Sequence, residues 1–118
     1  MTLMGPFVEV KMVTETALRQ ATERLVAKFR PQRIILFGSH ARGTADEHSD
    51  VDLLVVCAVE GRRRDLMVAM DRALRGLGFA RDIVILTPGE YERDLSIPGT
   101  IARPASKEGR VLYDASQP

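Results

Sequence analysis

Tryptophan is absent from this chain, cysteine occurs once, and aromatic residues make up only 5% of it. Phe79, Tyr91 and Tyr113 are therefore too few and too scattered to form a base-stacking platform, and core or rim packing is their expected role. A single cysteine excludes an intrachain disulfide. Cys57 lies in an apolar run and reads as a small core residue of a protein kept in a reducing compartment. No excess of one charge exists either: 17 basic residues face 16 acidic ones, for a formal net charge of +1. The overall balance thus gives no pull toward nucleic acid or an anionic membrane. The only basic cluster, Arg62-Arg63-Arg64, adjoins an expected helix and reads as a solvated face. Long apolar runs are missing as well, since the stretch from Leu53 to Val59 falls far short of a membrane span. The opening MTLMGPFVEV lacks the charged-then-apolar order of a signal peptide, and a cytoplasmic protein is expected.

What is present is an ordinary globular composition, 45% hydrophobic and 28% charged over 118 residues. That is room for one compact domain, 1–118, with a cleft that is shallow or completed by a partner. No repeat, low-complexity block or linker interrupts it. Residues 1–13 show no clean period, and Gly5-Pro6 argues against a helix before them, so a short strand or loose arm is expected. From Thr14, Leu18, Ala21, Leu25 and Phe29 recur at helical spacing until Pro31 stops the run. Arg33 to Phe37 reads as a strand that ends in Gly38-Ser39, followed by a short helix to Arg42. Asp50 to Cys57 reads as a second strand, buried in its apolar second half. Leu66, Ala69, Met70, Ala73, Leu74 and Leu77 trace one face of a helix closed by Gly76 and Gly78. Phe79 to Leu86 gives a third strand. One or two helical turns over Glu90 to Leu95, a short broken helix in 97–109 and a last strand at Val111 to Tyr113 complete the chain.

The chemistry concentrates between residues 38 and 82. Side chains alternate across a strand, so Asp50 and Asp52 project to one face as two neighbouring carboxylates. Such a pair repels itself beside an apolar strand unless a cation neutralises it. Oxygen-only ligands suit Mg²⁺, which takes its other ligands from water and substrate phosphates. Gly38-Ser39, at a strand-to-helix junction, offers close backbone approach, free N–H groups and a hydroxyl to an anion. Arg42, one turn on, either contacts the same phosphates or locks the loop to a carboxylate. Asp82 opens the third strand and joins the first two carboxylates if that strand lies beside the second; the other reading is a surface pair with Arg81. Three carboxylates on adjacent strands would hold two metal ions. His40 and His48 flank the motif without metal-ligand company, and surface roles are expected of them.

The segment FGSHARGTADEHSDVDLLVV resembles the signature of the DNA polymerase β-like nucleotidyltransferase superfamily, Gly-Ser, a spacer, then Asp-x-Asp. Its Gly-Ser-x-Ala-Arg-Gly form in a short chain is similar to the minimal nucleotidyltransferase branch. The tail RDIVILTPGEYERDLSIPGTIARPASKEGRVLYD extends the likeness over about residues 33–113. The resemblance implies that Gly38 and Ser39 hold nucleotide phosphates, that Asp50 and Asp52 ligate both Mg²⁺ ions, and that Asp82 is the third carboxylate. It also implies a helical HEPN-domain partner, because members of that branch are often antitoxins of two-component systems. The larger family's substrate-binding helical domain is missing from this reading. The expected fold is α/β, a small mixed sheet of about four strands with helices packed mainly on one face. The expected activity is transfer of AMP from ATP to a hydroxyl of that protein partner, in a homo- or hetero-oligomer. The alternatives are an antitoxin that only occludes its partner and a small-molecule transferase of the antibiotic-modifying type.

Overall fold

The computed structural model describes residues 13–117, so the strand or arm expected for the first twelve residues lies outside the described residues. Helix α1 (Glu15–Phe29) begins at Thr14, whose hydroxyl accepts from the Ala17 N–H at 3.0 Å, with acidic Glu15 in the first turn and basic Lys28 in the last. Both charges complement the helix dipole. The helix stops at Arg30, left-handed at φ 49°, immediately before Pro31.

Strand β1 (Arg33–Phe37) leads through Gly38 into the one-turn helix α2 (Ser39–Arg42), and a loop then returns to β2 (Val51–Val56). Helix α3 (Arg63–Ala73) connects β2 to β3 (Arg81–Leu86), and α4 (Pro88–Asp94), α5 (Ala102–Glu108) and β4 (Arg110–Asp114) follow. Among the described residues the sheet has four strands in the order β3-β2-β1-β4, with β2 and β3 parallel and the other pairs antiparallel. A parallel neighbour requires a crossover, and α3 supplies it.

Alternation along the strands divides the core between the two faces of the sheet. Ile34, Leu36, Leu53, Val55, Ile83 and Ile85 pack against Leu18 and Leu25 of α1 and Met70 of α3. On the opposite face Ile35, Leu54 and Val56 pack against Tyr91 of α4 and Ala102 and Ala105 of α5. The two longer helices share one face, and the other face carries α4 and α5.

Several boundaries are tighter than the residue pattern suggests. Helix α3 ends at Ala73 rather than running to Leu77, and Arg24 of α1 caps that end by donating to the carbonyls of Ala73 (3.2 Å) and Arg75 (2.9 Å). Strand β2 starts at Val51, leaving Asp50 one residue outside the ladder, and β3 starts at Arg81. Helix α4 is fixed at its start by a capping box between Thr87 and Glu90 with Pro88 in the first turn. Pro104 is accommodated in the first turn of α5, where a missing N–H breaks no helical bond.

Candidate active site

The face of β2 that carries Leu54 and Val56 carries Asp52 at its open end. Register places Asp52 opposite Phe37 of β1 on one side and opposite Asp82 of β3 on the other. The two aspartates are thus lateral neighbours on a parallel pair. Asp52 is half-buried, whereas Asp82 and Asp50 are exposed. Burial pushes the Asp52 carboxyl above its ordinary value, the negative charges of Asp82 and Asp50 add to that effect, and His40 and Arg42 oppose it. All four neighbours therefore bear electrostatically on one carboxylate. Among the described residues, no donor makes a hydrogen bond or ion pair with Asp50, Asp52 or Asp82.

Gly38 closes the site from the β1 side. Its φ of 76° and ψ of −157° lie where only glycine is comfortable. A Cβ at this position would fall on Oδ2 of Asp52 and lie 3.1 Å from its Cγ. The absent side chain is what lets the strand-to-helix turn approach the carboxylate. Its carbonyl accepts from the N–H groups of Ala41 and Arg42, both at 3.1 Å, winding α2 at once. The first amides of that turn, at Ser39 and His40, have no carbonyl four residues back to bond. Ser39 is half-buried beside them and Arg42 is exposed.

The loop from α2 to β2 is held by Asp46, whose carboxylate accepts from the His48 N–H at 2.8 Å and the Ser49 hydroxyl at 3.1 Å. His40 Nε2 lies 3.1 Å from the Ser49 carbonyl, tying α2 to the start of β2 and so to Asp50. The expected surface role of His40 is thus a positioning one.

Among the described residues, no three acidic, histidine or cysteine side chains converge into a preformed metal cage. The residues nevertheless fit a hard cation. Their donors are carboxylate oxygens without other partners, one of them destabilised in its charged form, beside a backbone that has been kept clear by a glycine. Mg²⁺ is commonly held by one or two carboxylates, with substrate phosphates and water completing its shell.

The profile of the nucleotidyltransferase domain family matches residues 18–112, a span that contains this whole arrangement. The chain belongs to the nucleotidyltransferase family. It is similar to a candidate protein adenylyltransferase of Methanocaldococcus jannaschii, 34% identical over 104 residues, covering 86% of this chain and 100% of the relative. A second candidate protein adenylyltransferase of that organism is 68% identical over 31 residues, 26% of this chain and 21% of the relative. Among solved structures, a candidate nucleotidyltransferase of Sulfolobus solfataricus shares the fold with a TM-score of 0.61 at 24% identity, over 86% of this chain and 81% of that one.

As a nucleotidyltransferase the protein takes a nucleoside triphosphate as donor, and its own geometry decides several open points about the residues. Arg81 does not pair with Asp82. It lies on the other side of the sheet, where its Nε donates to Asp71 Oδ1 at 2.9 Å and its Nη2 to the Asp71 carbonyl at 2.8 Å. Asp82 is left without a counterion among the described residues. Arg42 bears on Asp52 through its charge without an ion pair. Sequence reasoning did not find the pairing of Arg63 with Glu90, two bonds of 2.9 Å that join α3 to α4. The arginine cluster gave no hint of which member would be engaged. No helix among the described residues is long and apolar enough to cross a membrane.

Proposed function

We propose that this nucleotidyltransferase transfers AMP from ATP, with Mg²⁺, to a hydroxyl of a protein partner, and that the partner is a HEPN-type toxin silenced by the modification. The observation that carries this reading is the meeting of Gly38 with Asp52 and the lateral pairing of Asp52 with Asp82. One strand-end thereby gathers a glycine-cleared turn for phosphate and carboxylates for metal. The protein acceptor and the adenylyl group are supported by the name of the 34% identical relative, which this chain covers over its whole length.

In this reading Asp50, Asp52 and Asp82 hold Mg²⁺. Bound there, the ion would offset triphosphate charge and make the acceptor hydroxyl a better nucleophile. Gly38 admits the phosphates to the backbone, the Ser39 hydroxyl and the first amides of α2 donate to phosphate oxygens, and Arg42 adds a charge-assisted contact. The acceptor oxygen forms a bond to the α-phosphorus as the bond to the β-phosphate bridging oxygen breaks. Pyrophosphate leaves, and the hydroxyl proton departs to solvent on the exposed Asp82 side. The acceptor hydroxyl must sit about 3–3.5 Å from the phosphorus for efficient reaction, so docking of the partner and chemistry are coupled.

The test is co-expression with a helical HEPN-type partner, then incubation with Mg²⁺ and each of the four nucleoside triphosphates, read by intact-protein mass spectrometry. The expected result is a stable complex and one AMP added to the partner, lost with Asp52→Asn. A complex that forms with no adduct replaces modification by occlusion. Modification of a small molecule with no protein adduct overturns the protein acceptor.

A further inference from the structure

Strand β3 is the outer strand of the sheet, and Asp82 stands at its start. The Val51 N–H bonds to the Ala80 carbonyl at 2.8 Å and the Cys57 N–H to the Leu86 carbonyl at 3.0 Å. Alternate residues of a strand turn their backbone groups to the same side, so Asp82 and Val84 also address β2, while Arg81, Ile83 and Ile85 address the outside. The Ile85 carbonyl confirms the parity, because it accepts from Arg63 Nη1 at 3.1 Å. Arg63, braced by Glu90, thus closes the far half of this edge. The near half, Arg81 and Ile83, lies beside a cavity of about 240 Å³ lined by Met67, Val68, Asp71, Arg81, Asp82 and Ile83.

The cavity's outer wall is apolar against the habit of a helix surface. Met67 and Val68 are 38% and 39% exposed on α3, off the buried face that Met70 anchors. The basic group at its floor, Arg81, is only 12% exposed and paired with Asp71, so among the described residues Asp82 is the one unpaired charge lining the cavity. Asp82 borders the same cavity, so the cavity adjoins the candidate active site at the start of β3. A strand edge left open among the described residues, beside an apolar pocket, is the geometry that captures an extended peptide by strand addition.

We infer that an extended segment of the protein acceptor adds to the Arg81–Ile83 edge of β3, seating an apolar side chain between Met67, Val68 and Ile83 while its hydroxyl residue faces Asp82. This rests on the protein-acceptor reading above. The geometry sets a rule of spacing. The Asp82 side chain shares the Asp52 face of the sheet, whereas Ile83 faces α3. Side chains of an added strand also alternate, so the apolar anchor is the residue immediately next to the hydroxyl residue, not the one two places away. Acidic residues beside the anchor are disfavoured by the unpaired carboxylate of Asp82.

The test uses seven-residue peptides with a central tyrosine, serine or threonine, carrying leucine either next to it or two residues away, and versions with glutamate in place of leucine. Two readings are taken on the full chain with Mg²⁺ and ATP: transfer of AMP to peptide, and backbone amide shifts of isotope-labelled protein. The adjacent-leucine peptides are expected to be modified with at least tenfold higher kcat/KM and to shift the Arg81 and Ile83 amides. Met67→Glu and Val68→Glu should raise KM for them at least tenfold with ATP affinity unchanged, and Val68→Leu should restore it. Modification indifferent to leucine placement and to Met67→Glu overturns the groove while leaving the transferase reading intact. Amide shifts at Arg81 and Ile83 without transfer to any peptide keep the groove and count against the acceptor chemistry. Neither shifts nor transfer overturns the groove.

Discussion

Replacing Gly38 by alanine perturbs the site at the one point where backbone and carboxylate are closest. Two costs are visible. At φ 76° and ψ −157° an L residue occupies a region that essentially only glycine populates, a strain of roughly 1–3 kcal/mol. The new methyl also lands on Asp52, with Oδ2 nearest and Cγ at 3.1 Å, and swinging that carboxylate off its rotamer adds about 0.5–1.5 kcal/mol. The expected loss is about 2–4 kcal/mol, a fall in Tm on the order of 10 °C for a domain of this size. Gly43 is the internal control. Its φ of 77° is also positive, but at ψ 17° it is ordinary left-handed backbone with nothing within 4 Å of an added Cβ, so Gly43→Ala should cost only about 1–2 kcal/mol. Urea and thermal denaturation followed by circular dichroism measure both variants. Adding Asp52→Ala to Gly38→Ala removes the collision and should return part of the loss, a coupling of about 1 kcal/mol in the double-mutant cycle. Equal losses at Gly38 and Gly43, or a strictly additive double variant, would refute the claim that Gly38 is there to clear space for Asp52.

Asp52 itself carries a pH signature. Its folded carboxyl binds a proton more tightly than the unfolded one, so the metal-free protein keeps its full stability below the ordinary value of 3.8 and loses some as pH rises through the raised value. Asp52→Asn should flatten that loss and stabilise the metal-free protein near neutrality by roughly 0.5–1 kcal/mol, seen as a higher denaturant midpoint; an unchanged midpoint contradicts the repulsion. Glu90 has the opposite sign, because Arg63 and the Thr87 N–H hold its carboxyl down from 4.5 to about 2. Its contribution is present above 4.5 and disappears as pH falls toward 2, and Glu90→Gln should remove that part of the acid transition in a pH series of melting curves. Ser39→Ala should weaken ATP binding by roughly 1.5–3 kcal/mol, one hydrogen bond to a charged group, with the fold intact. Titration calorimetry showing wild-type affinity for Ser39→Ala would remove the hydroxyl from the phosphate site.

Much of this was legible before any coordinates, for physical reasons that can be named. The period of Leu18, Ala21 and Leu25, the Thr14 cap and the Pro31 stop are local signals, and α1 follows them closely. The alternation that puts Asp52 on the face of Leu54 is a property of any strand, and the apolar second half of β2 is indeed central. Gly38 next to Ser39 could be read as a place where backbone must come close. What approaches Gly38 could not, because Asp52 lies on another strand and only the antiparallel register of β1 and β2 brings them together.

Asp82 marks the limit of the sequence most clearly. Its acidity at the head of an apolar strand was visible, but a surface pair with Arg81 was the other reading until the sheet was assembled. Neighbours along a strand point to opposite faces, so Arg81 was free to find Asp71 on α3 while Asp82 aligned with Asp52. Met67 and Val68 likewise stood outside the buried stripe of α3 in the sequence, yet only the end position of β3 in the sheet turns that irregularity into the wall of a groove. The sequence by itself determined most of the elements, the face of β2 that carries Asp52 and the glycine turn, since each depends on residues within a few positions of one another. The tertiary structure alone decided which carboxylates are neighbours, which charges are consumed elsewhere and which strand edge is left open among the described residues, because those depend on strand order and register between segments far apart in the chain.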